Sequence, residues 1–116
     1  MLFSKVLRNG IKRKLRRIAE TLGIFYWSSP ALHKIDRRLE KYLPKTPGFF
    51  IEAGAHNGYS QSNTYYWERV KHWRGILVEP ILEQWQECCR ERPQAYVFHN
   101  ALVDFAYSAP QFRSTV

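Results

Sequence analysis

The length of 116 residues limits the chain to one compact domain, since domains typically contain about 100–150 residues, and this excludes a multidomain protein. Hydrophobic residues make up 45% of the sequence and aromatic residues 16%, which is enough material for a core and argues against wholesale disorder. The formal net charge of +8 is concentrated in residues 1–46, which carry +9 against −1 for residues 47–116, so the body has no excess of cations for nucleic acid.

Residues 1–46 form a basic N-terminal extension that begins with a predicted amphipathic helix. Apolar residues recur at spacings of three and four, and basic residues occupy most positions between them. The apolar positions are Leu7, Ile11, Leu15, Ile18 and Leu22, and the basic positions are Lys5, Arg8, Lys12, Arg13, Lys14, Arg16 and Arg17. The helix either is attracted to an anionic membrane or polyphosphate, or packs on its own domain with its charged face in solvent; the second interpretation is favoured.

The apolar runs and the cysteines together predict where the protein is located. Apolar runs are only a few residues long, whereas a bilayer span needs about 20, and the early charges do not fit a secretory signal. Cys88 and Cys89 are adjacent and poorly placed to form a disulfide with each other, which favours a reducing compartment. The predicted localisation is cytoplasmic, with peripheral membrane contact through residues 1–22 as an open alternative.

A second helix is predicted after Ser28 and Ser29, because serine caps helices and Pro30 is tolerated in a first turn. Its apolar stripe consists of Leu32, Ile35, Leu39 and Tyr42 or Leu43. Pro44 ends this helix, and residues 44–48 form a turn that separates the extension from a second unit, residues 47–116.

The second unit alternates between strands and helices. Short apolar runs at residues 48–52, 75–79 and 95–99 are typical of buried parallel strands, and the third continues towards residue 103. Helices are predicted over residues 60–73 and from Pro80 to Arg92, and a hairpin around residues 104–112. This alternation predicts an α/β fold whose three parallel strands form half of a doubly wound sheet, with ligands bound beyond the carboxyl ends of the strands.

Small and acidic residues follow the predicted strands at that edge. Gly54 and Gly58 allow a sharp turn and a close approach to a ligand after the first strand. Glu79 ends the second strand 21 residues beyond Gly58, the spacing at which an acid accepts hydrogen bonds from ribose hydroxyls. Together these residues predict an adenosine ligand. The alternative for Glu79 is that it only caps the following helix.

The charge of Glu52 indicates which adenosine ligand is favoured. A carboxylate at the end of the first strand would repel the pyrophosphate of a dinucleotide, and no P-loop motif occurs. S-adenosylmethionine carries an ammonium and a sulfonium instead, so a facing carboxylate is electrostatically favourable. The alternative for Glu52 is a cap or a solvated carboxylate.

Three segments match a known pattern: FIEAGAHNGYSQSNTYY at residues 50–66, WRGILVEP at residues 73–80 and NALV at residues 100–103. Over residues 47–108 the chain closely resembles the start of the FkbM family of S-adenosylmethionine-dependent methyltransferases. The resemblance implies a Rossmann-like class I methyltransferase fold, preceded here by N-terminal helices and truncated to its first three strands. It also implies methylation of a hydroxyl group on a sugar or natural product.

The resemblance further implies a set of cofactor-binding residues. Glu52, Gly54, Ala55 and Gly58 would surround the methionine part, Glu79 would hold the ribose, and Asn100 with Ala101 would lie near the adenine. The complete set is Glu52, Gly54, Ala55, His56, Asn57, Gly58, Glu79, Pro80, Asn100 and Ala101. Relatives commonly have Asn-Asp where this chain has His56-Asn57, a departure that removes one acid. No catalytic residue and no metal site is assigned.

The sheet of the complete family fold has about twice as many strands as are predicted here. The chain is therefore expected to be an N-terminal fragment, with self-association through the open edge of its sheet. The alternative is a catalytically inactive truncated protein or an interaction module whose basic helix binds membrane or nucleic acid.

Overall fold

A computed structural model describes residues 2–106, which form an α/β structure with three strands and four α-helices. The helices are α1 (Leu2–Thr21), α2 (Ile35–Arg38), α3 (Tyr65–Arg69) and α4 (Leu82–Glu91), and 3-10 turns at Leu32–Lys34 and Leu39–Lys41 flank α2. The strands are β1 (Phe49–Ala53), β2 (Arg74–Val78) and β3 (Tyr96–Phe98). The hairpin predicted around residues 104–112 lies mostly outside the described residues.

The three strands form one parallel sheet in the order β1-β2-β3. Ile51 of β1 is in register with Ile76 of β2, which in turn is in register with Tyr96 of β3. The prediction of three parallel strands is confirmed, and β1 lies at one edge of the sheet among the described residues. That this sheet is half of a doubly wound sheet stays a prediction.

The two faces of the sheet differ sharply in burial. Phe50 and Leu77 are buried on one face, together with Cys88 of α4. On the opposite face Val78 is buried and Ile76 is half-buried, both on the central strand, whereas four large apolar side chains of the outer strands are exposed to solvent: Phe49, Ile51, Tyr96 and Phe98. Right-handed crossovers that run in one direction along a sheet place their helices on the same side, so α3 and α4 leave the second face open.

Arg92, which directly follows α4, lies at the centre of a buried hydrogen-bonded cluster. Its guanidinium is fully buried and donates to the carboxylate of Glu68 in α3 at 2.8 Å and to the carbonyl oxygen of Gly58 at 3.0 Å. It also donates to the hydroxyls of Ser62 at 3.2 Å and Thr64 at 2.8 Å. One side chain therefore joins the end of α4, the start of α3 and the loop after β1.

Helix α1 packs on the body through its arginines. Arg13 lies 2.7 Å from Glu87 of α4, and Arg16 forms an ion pair with Glu91 on the same helix. Arg16 also donates to the hydroxyl of Tyr65 at 2.8 Å. The helix packs on its own domain, which is the interpretation that the sequence favours. The expectation that its charged face lies in solvent is wrong for these arginines, because α4 supplies acidic partners.

The helix predicted over residues 60–73 and the one predicted between Pro30 and Pro44 are both much shorter than expected. In the first, Gln61 adopts a left-handed backbone with φ 59°, and the Ser62 hydroxyl accepts the N–H groups of Thr64 and Tyr65, so α3 begins only at residue 65. In the second, His33 and Lys34 are both left-handed, which reduces the helix to α2 and its 3-10 turns.

The interior of the second segment also differs from its predicted pattern. Asp36 is fully buried and accepts hydrogen bonds from the Ser29 hydroxyl at 2.7 Å and from the Ala31 N–H at 3.3 Å. The predicted apolar positions Leu32 and Ile35 are exposed instead. A local carboxylate network therefore determines this segment rather than an apolar stripe.

We expect Arg92→Ala to lower the free energy of unfolding by about 3–5 kcal/mol, because it leaves the buried carboxylate of Glu68 without a cation. The measurement is urea unfolding followed by circular dichroism. Arg90→Ala is the control, since Arg90 is half exposed and forms only an i,i+3 pair with Glu87, and should cost less than about 1 kcal/mol. Equal losses in the two variants would contradict the central position of Arg92.

Candidate functional site

A cleft of about 340 Å³ lies at the carboxyl ends of the three strands. Its lining comprises Ala53, Gly54, Val78, Pro80, Asn100, Ala101 and Leu102. Small-molecule sites typically measure about 300–1,000 Å³, so the cleft is at the lower end of that range. It brings together four of the ten residues predicted from the sequence, namely Gly54, Pro80, Asn100 and Ala101.

The two glycines of the loop after β1 have different surroundings. Gly54 adopts φ +66°, and a Cβ added there would meet no atom within 4 Å, so it borders open space in the cleft. Gly58 adopts φ +84°, but a Cβ there would lie 2.9 Å from Cγ of Arg92 and 3.0 Å from Sγ of Cys88. At Gly54 the absence of a side chain leaves room for a ligand to approach the backbone. At Gly58 it lets the end of α4 pack against the loop.

Glu79 is buried and holds two backbone segments together. One carboxylate oxygen accepts the N–H of His56 at 2.7 Å, and the other accepts the N–H of Ile81 at 2.9 Å. The first bond fixes the loop after β1, and the second fixes the chain just before α4. Glu79 is thus adjacent to the cleft through Pro80 but does not itself line it.

Glu52 takes part in the Arg92 cluster rather than in the cleft. Its carboxylate accepts hydrogen bonds from the hydroxyls of Ser62 at 3.0 Å and Thr64 at 2.5 Å, and lies 4.0 Å from Nη1 of Arg92. It is on the helix-covered face with Phe50, because the two residues alternate with Ile51 along β1. Its cationic neighbour in this structure is Arg92, and the two predicted carboxylates do not converge on one cavity.

The remaining predicted residues of the loop support its backbone. Ala55 is buried and its N–H donates to the carbonyl oxygen of Val78 at 3.0 Å. The side-chain oxygen of Asn57 accepts the N–H groups of Tyr59 and Ser60 at 3.0 and 2.8 Å. His56 has φ 56° and an exposed side chain. None of the three lines the cleft.

Two residues with a part in the site were not identified by sequence reasoning. Arg92 was interpreted only as the end of a helix before Pro93, and nothing local in the sequence marks its partners in the loop after β1. The second residue is His99, whose Nε2 lies 3.0 Å from the carbonyl oxygen of Pro80 and whose ring stacks on Trp85 with centroids 5.0 Å apart. His99 therefore supports the Pro80 wall of the cleft.

Comparisons with known proteins found no matching family model, no matching curated protein and no matching solved structure. The resemblance to the FkbM family over residues 47–108 therefore stays a prediction.

We expect the two loop glycines to respond differently to substitution. Gly58→Ala combines a left-handed backbone with a clash against α4 and should lower the free energy of unfolding by about 2–5 kcal/mol. Gly54→Ala meets no neighbour and should cost about 1–2 kcal/mol for the backbone strain alone. Thermal and urea unfolding of the two variants provide the comparison, and a larger loss at Gly54 would contradict the geometry.

The thiol behind Gly58 is expected to be unreactive. Burial raises the pKa of Cys88 to about 12, whereas Cys89 is exposed, so one thiol per native chain should react with a thiol reagent and two after unfolding. Cys89→Ala should abolish the native reaction and Cys88→Ala should leave it. Rapid native labelling of Cys88 would contradict its burial.

The same raised pKa predicts loss of stability in alkali. The unfolded thiol ionises near its ordinary pKa of 9.0 while the folded thiol stays protonated, so the free energy of unfolding should fall as pH rises from about 9 to about 12. Tyr66, whose pKa burial and its hydrogen bond to Glu40 raise to about 12, contributes in the same direction. Urea unfolding across this range, with Cys88→Ala showing a smaller slope, is the measurement; an unchanged slope would contradict the assignment.

Proposed function

We propose that this chain is the cofactor-binding part of a methyltransferase that uses S-adenosylmethionine to methylate a hydroxyl group on a sugar or natural product. The site is the cleft at the carboxyl ends of β1, β2 and β3, in a Rossmann-like sheet. The observation that carries the proposal is the position of Glu79, a buried carboxylate directly beside this cleft that takes part in no ion pair within residues 2–106.

The charge of Glu79 favours a cationic ligand over a phosphate. A negative charge without a nearby cation, in surroundings of low dielectric constant, stabilises positive charge and opposes negative charge in an adjacent cavity. Glu52 cannot supply this effect, because Arg92 lies 4.0 Å from it. Glu79, and not Glu52 as the sequence predicts, therefore supplies the negative charge that favours a sulfonium.

The cleft residues fit the remaining parts of the cofactor. The open space over Gly54 leaves room for a ligand close to the backbone, and Pro80 and Ala101 offer apolar surface to a purine ring. The exposed Asn100 amide can both donate and accept hydrogen bonds at a purine edge. Glu79 is buried beside the cleft without lining it, so in this proposal it acts through its charge and through the two loops it fixes, and not through the ribose contact that the resemblance implies.

When bound, the cofactor supplies a methyl group on a sulfonium that an acceptor oxygen can take. The residues of this chain bind and orient that group, and Glu79 fixes the two loops that border the cleft by accepting one N–H from each. Orientation is the main requirement of such a displacement, so the rigidity of these loops is the contribution of the chain. No residue among 2–106 is assigned to the methyl acceptor.

Isothermal titration of the 116-residue chain tests the ligand class. We expect S-adenosylmethionine to bind, and ATP and NAD to bind at least tenfold more weakly because their phosphates approach Glu79. Glu79→Gln should weaken S-adenosylmethionine binding by about 1.5–3 kcal/mol, because Gln carries no negative charge and its amide nitrogen cannot accept one of the two backbone N–H groups that fix the loops.

Glu83→Gln is the matched control, because Glu83 is exposed in the first turn of α4 and makes the same change of charge away from the cleft. It should leave affinity unchanged. Circular dichroism establishes that each variant is folded. A folded wild-type chain that binds ATP as tightly as S-adenosylmethionine, or that binds neither, would overturn the proposal.

A further inference from the structure

The outer face of α1 is an apolar surface that nothing in the described structure covers. We call it the α1 stripe: Leu7, Ile11, Leu15 and Ile18 of α1 with Leu22, which directly follows the helix, each more than half exposed. At 3.6 residues per turn these five positions fall within about 80° of arc. Arg16 and Ala19, which are buried, lie on other sides of the helix. The helix therefore has its apolar side directed outwards, the reverse of an amphipathic helix that packs on a core.

The basic residues of α1 divide into two groups. The first group contacts α4. Arg13 and Arg16 form ion pairs with its carboxylates, and Arg17 donates to backbone carbonyl oxygens in its last turn. A second group is exposed and takes part in no ion pair within residues 2–106: Lys5, Arg8, Lys12 and Lys14. On a helical wheel of 3.6 residues per turn, Lys14 lies next to one edge of the α1 stripe. Beyond the other edge lie Arg8, Lys12 and Lys5, in that order.

Exposed aromatic residues continue this surface beyond the helix. Phe25, Tyr26 and Trp27 all have exposed side chains, and Trp27 also lines a cavity of about 490 Å³ with Leu15 and Tyr59. Tyrosine and tryptophan are enriched where membranes meet water, because each has an apolar ring and a polar tip.

We propose that the α1 stripe docks on an anionic lipid bilayer, with α1 lying in the plane of the headgroups. An outward apolar stripe between cations matches the apolar boundary and the negative charge of such a surface. Within residues 2–106 no helix has the length and apolar content needed to span a bilayer, so α1 lies on the membrane. A second copy of the chain fits less well, because pairing two stripes would bring their flanking cations together.

This surface lies on a different element from the proposed cofactor cleft, and the inference stands without it. Its test uses the 116-residue chain and vesicle flotation, with no cofactor present. Vesicles of phosphatidylcholine are compared with vesicles in which about one third of the lipid is phosphatidylglycerol. We expect binding to the anionic vesicles only, weakened by salt.

Two variants separate the apolar and the electrostatic contributions to vesicle binding. The combined substitution of Leu7→Ser, Ile11→Ser and Leu15→Ser should lower the partition coefficient at least tenfold, and circular dichroism should be unchanged because these side chains are already exposed. Neutralising the four exposed cations, by Lys5→Gln, Arg8→Gln, Lys12→Gln and Lys14→Gln, should abolish the preference for anionic vesicles.

The control removes apolar surface from the open face of the sheet instead. Ile51→Ser with Tyr96→Ser changes two exposed apolar side chains there and should leave vesicle binding intact. The proposal is overturned if the sheet variant loses binding while the stripe variant keeps it, or if the folded wild-type chain does not float with anionic vesicles. Sedimentation velocity that shows stripe-dependent dimers, with no vesicle binding, would assign the surface to a second copy.

Discussion

A fully buried guanidinium is the constraint on which the rest of this fold depends. Arg92 cannot remain charged in the interior unless its donors are satisfied, and the sequence meets this requirement with Glu68, two hydroxyls and the carbonyl oxygen of Gly58. These partners come from α3 and from the loop after β1. The position of that loop, and hence of Gly54 at the cleft, is therefore tied to a residue 38 positions further along the chain.

The same cluster separates two carboxylates that look equivalent in the sequence, since both stand at the ends of strands. Glu52 faces the helix layer and is compensated by Arg92 at 4.0 Å, whereas Glu79 accepts only backbone N–H groups and has no cationic partner within residues 2–106. Only Glu79 therefore has an uncompensated charge beside the cleft. A compensated carboxylate contributes little field to a neighbouring cavity, so the electrostatic argument for a cationic ligand applies to Glu79 and not to Glu52.

Local patterns in the sequence predicted β1 and β2 to within one residue at each end, because a short apolar run bounded by glycine or proline has few other stable conformations in a chain this small. The predicted continuation of the third strand towards residue 103 is wrong, since β3 ends at Phe98. The helices were predicted less well where a polar side chain competes for backbone N–H groups, as Ser62 does before α3 and Asp36 does before α2. Periodicity correctly identified the apolar stripe of α1 but not its direction. Which face packs depends on Glu87 and Glu91, more than 70 residues away, and no local pattern contains that information.

The end of α4 connects α1 to the loop that borders the cleft. Glu91 pairs outwards with Arg16 of α1, while its neighbour Arg92 turns inwards to the loop after β1. Because adjacent residues hold both elements, the side of α1 that faces the domain is determined by the same helix end that positions the cleft loop. Because Arg13, Arg16 and Arg17 contact α4, the opposite side of α1 faces solvent, and that side carries the α1 stripe. An exposed apolar stripe is unfavourable in water, so its presence on a helix held this firmly favours an external apolar partner over a loosely packed extension.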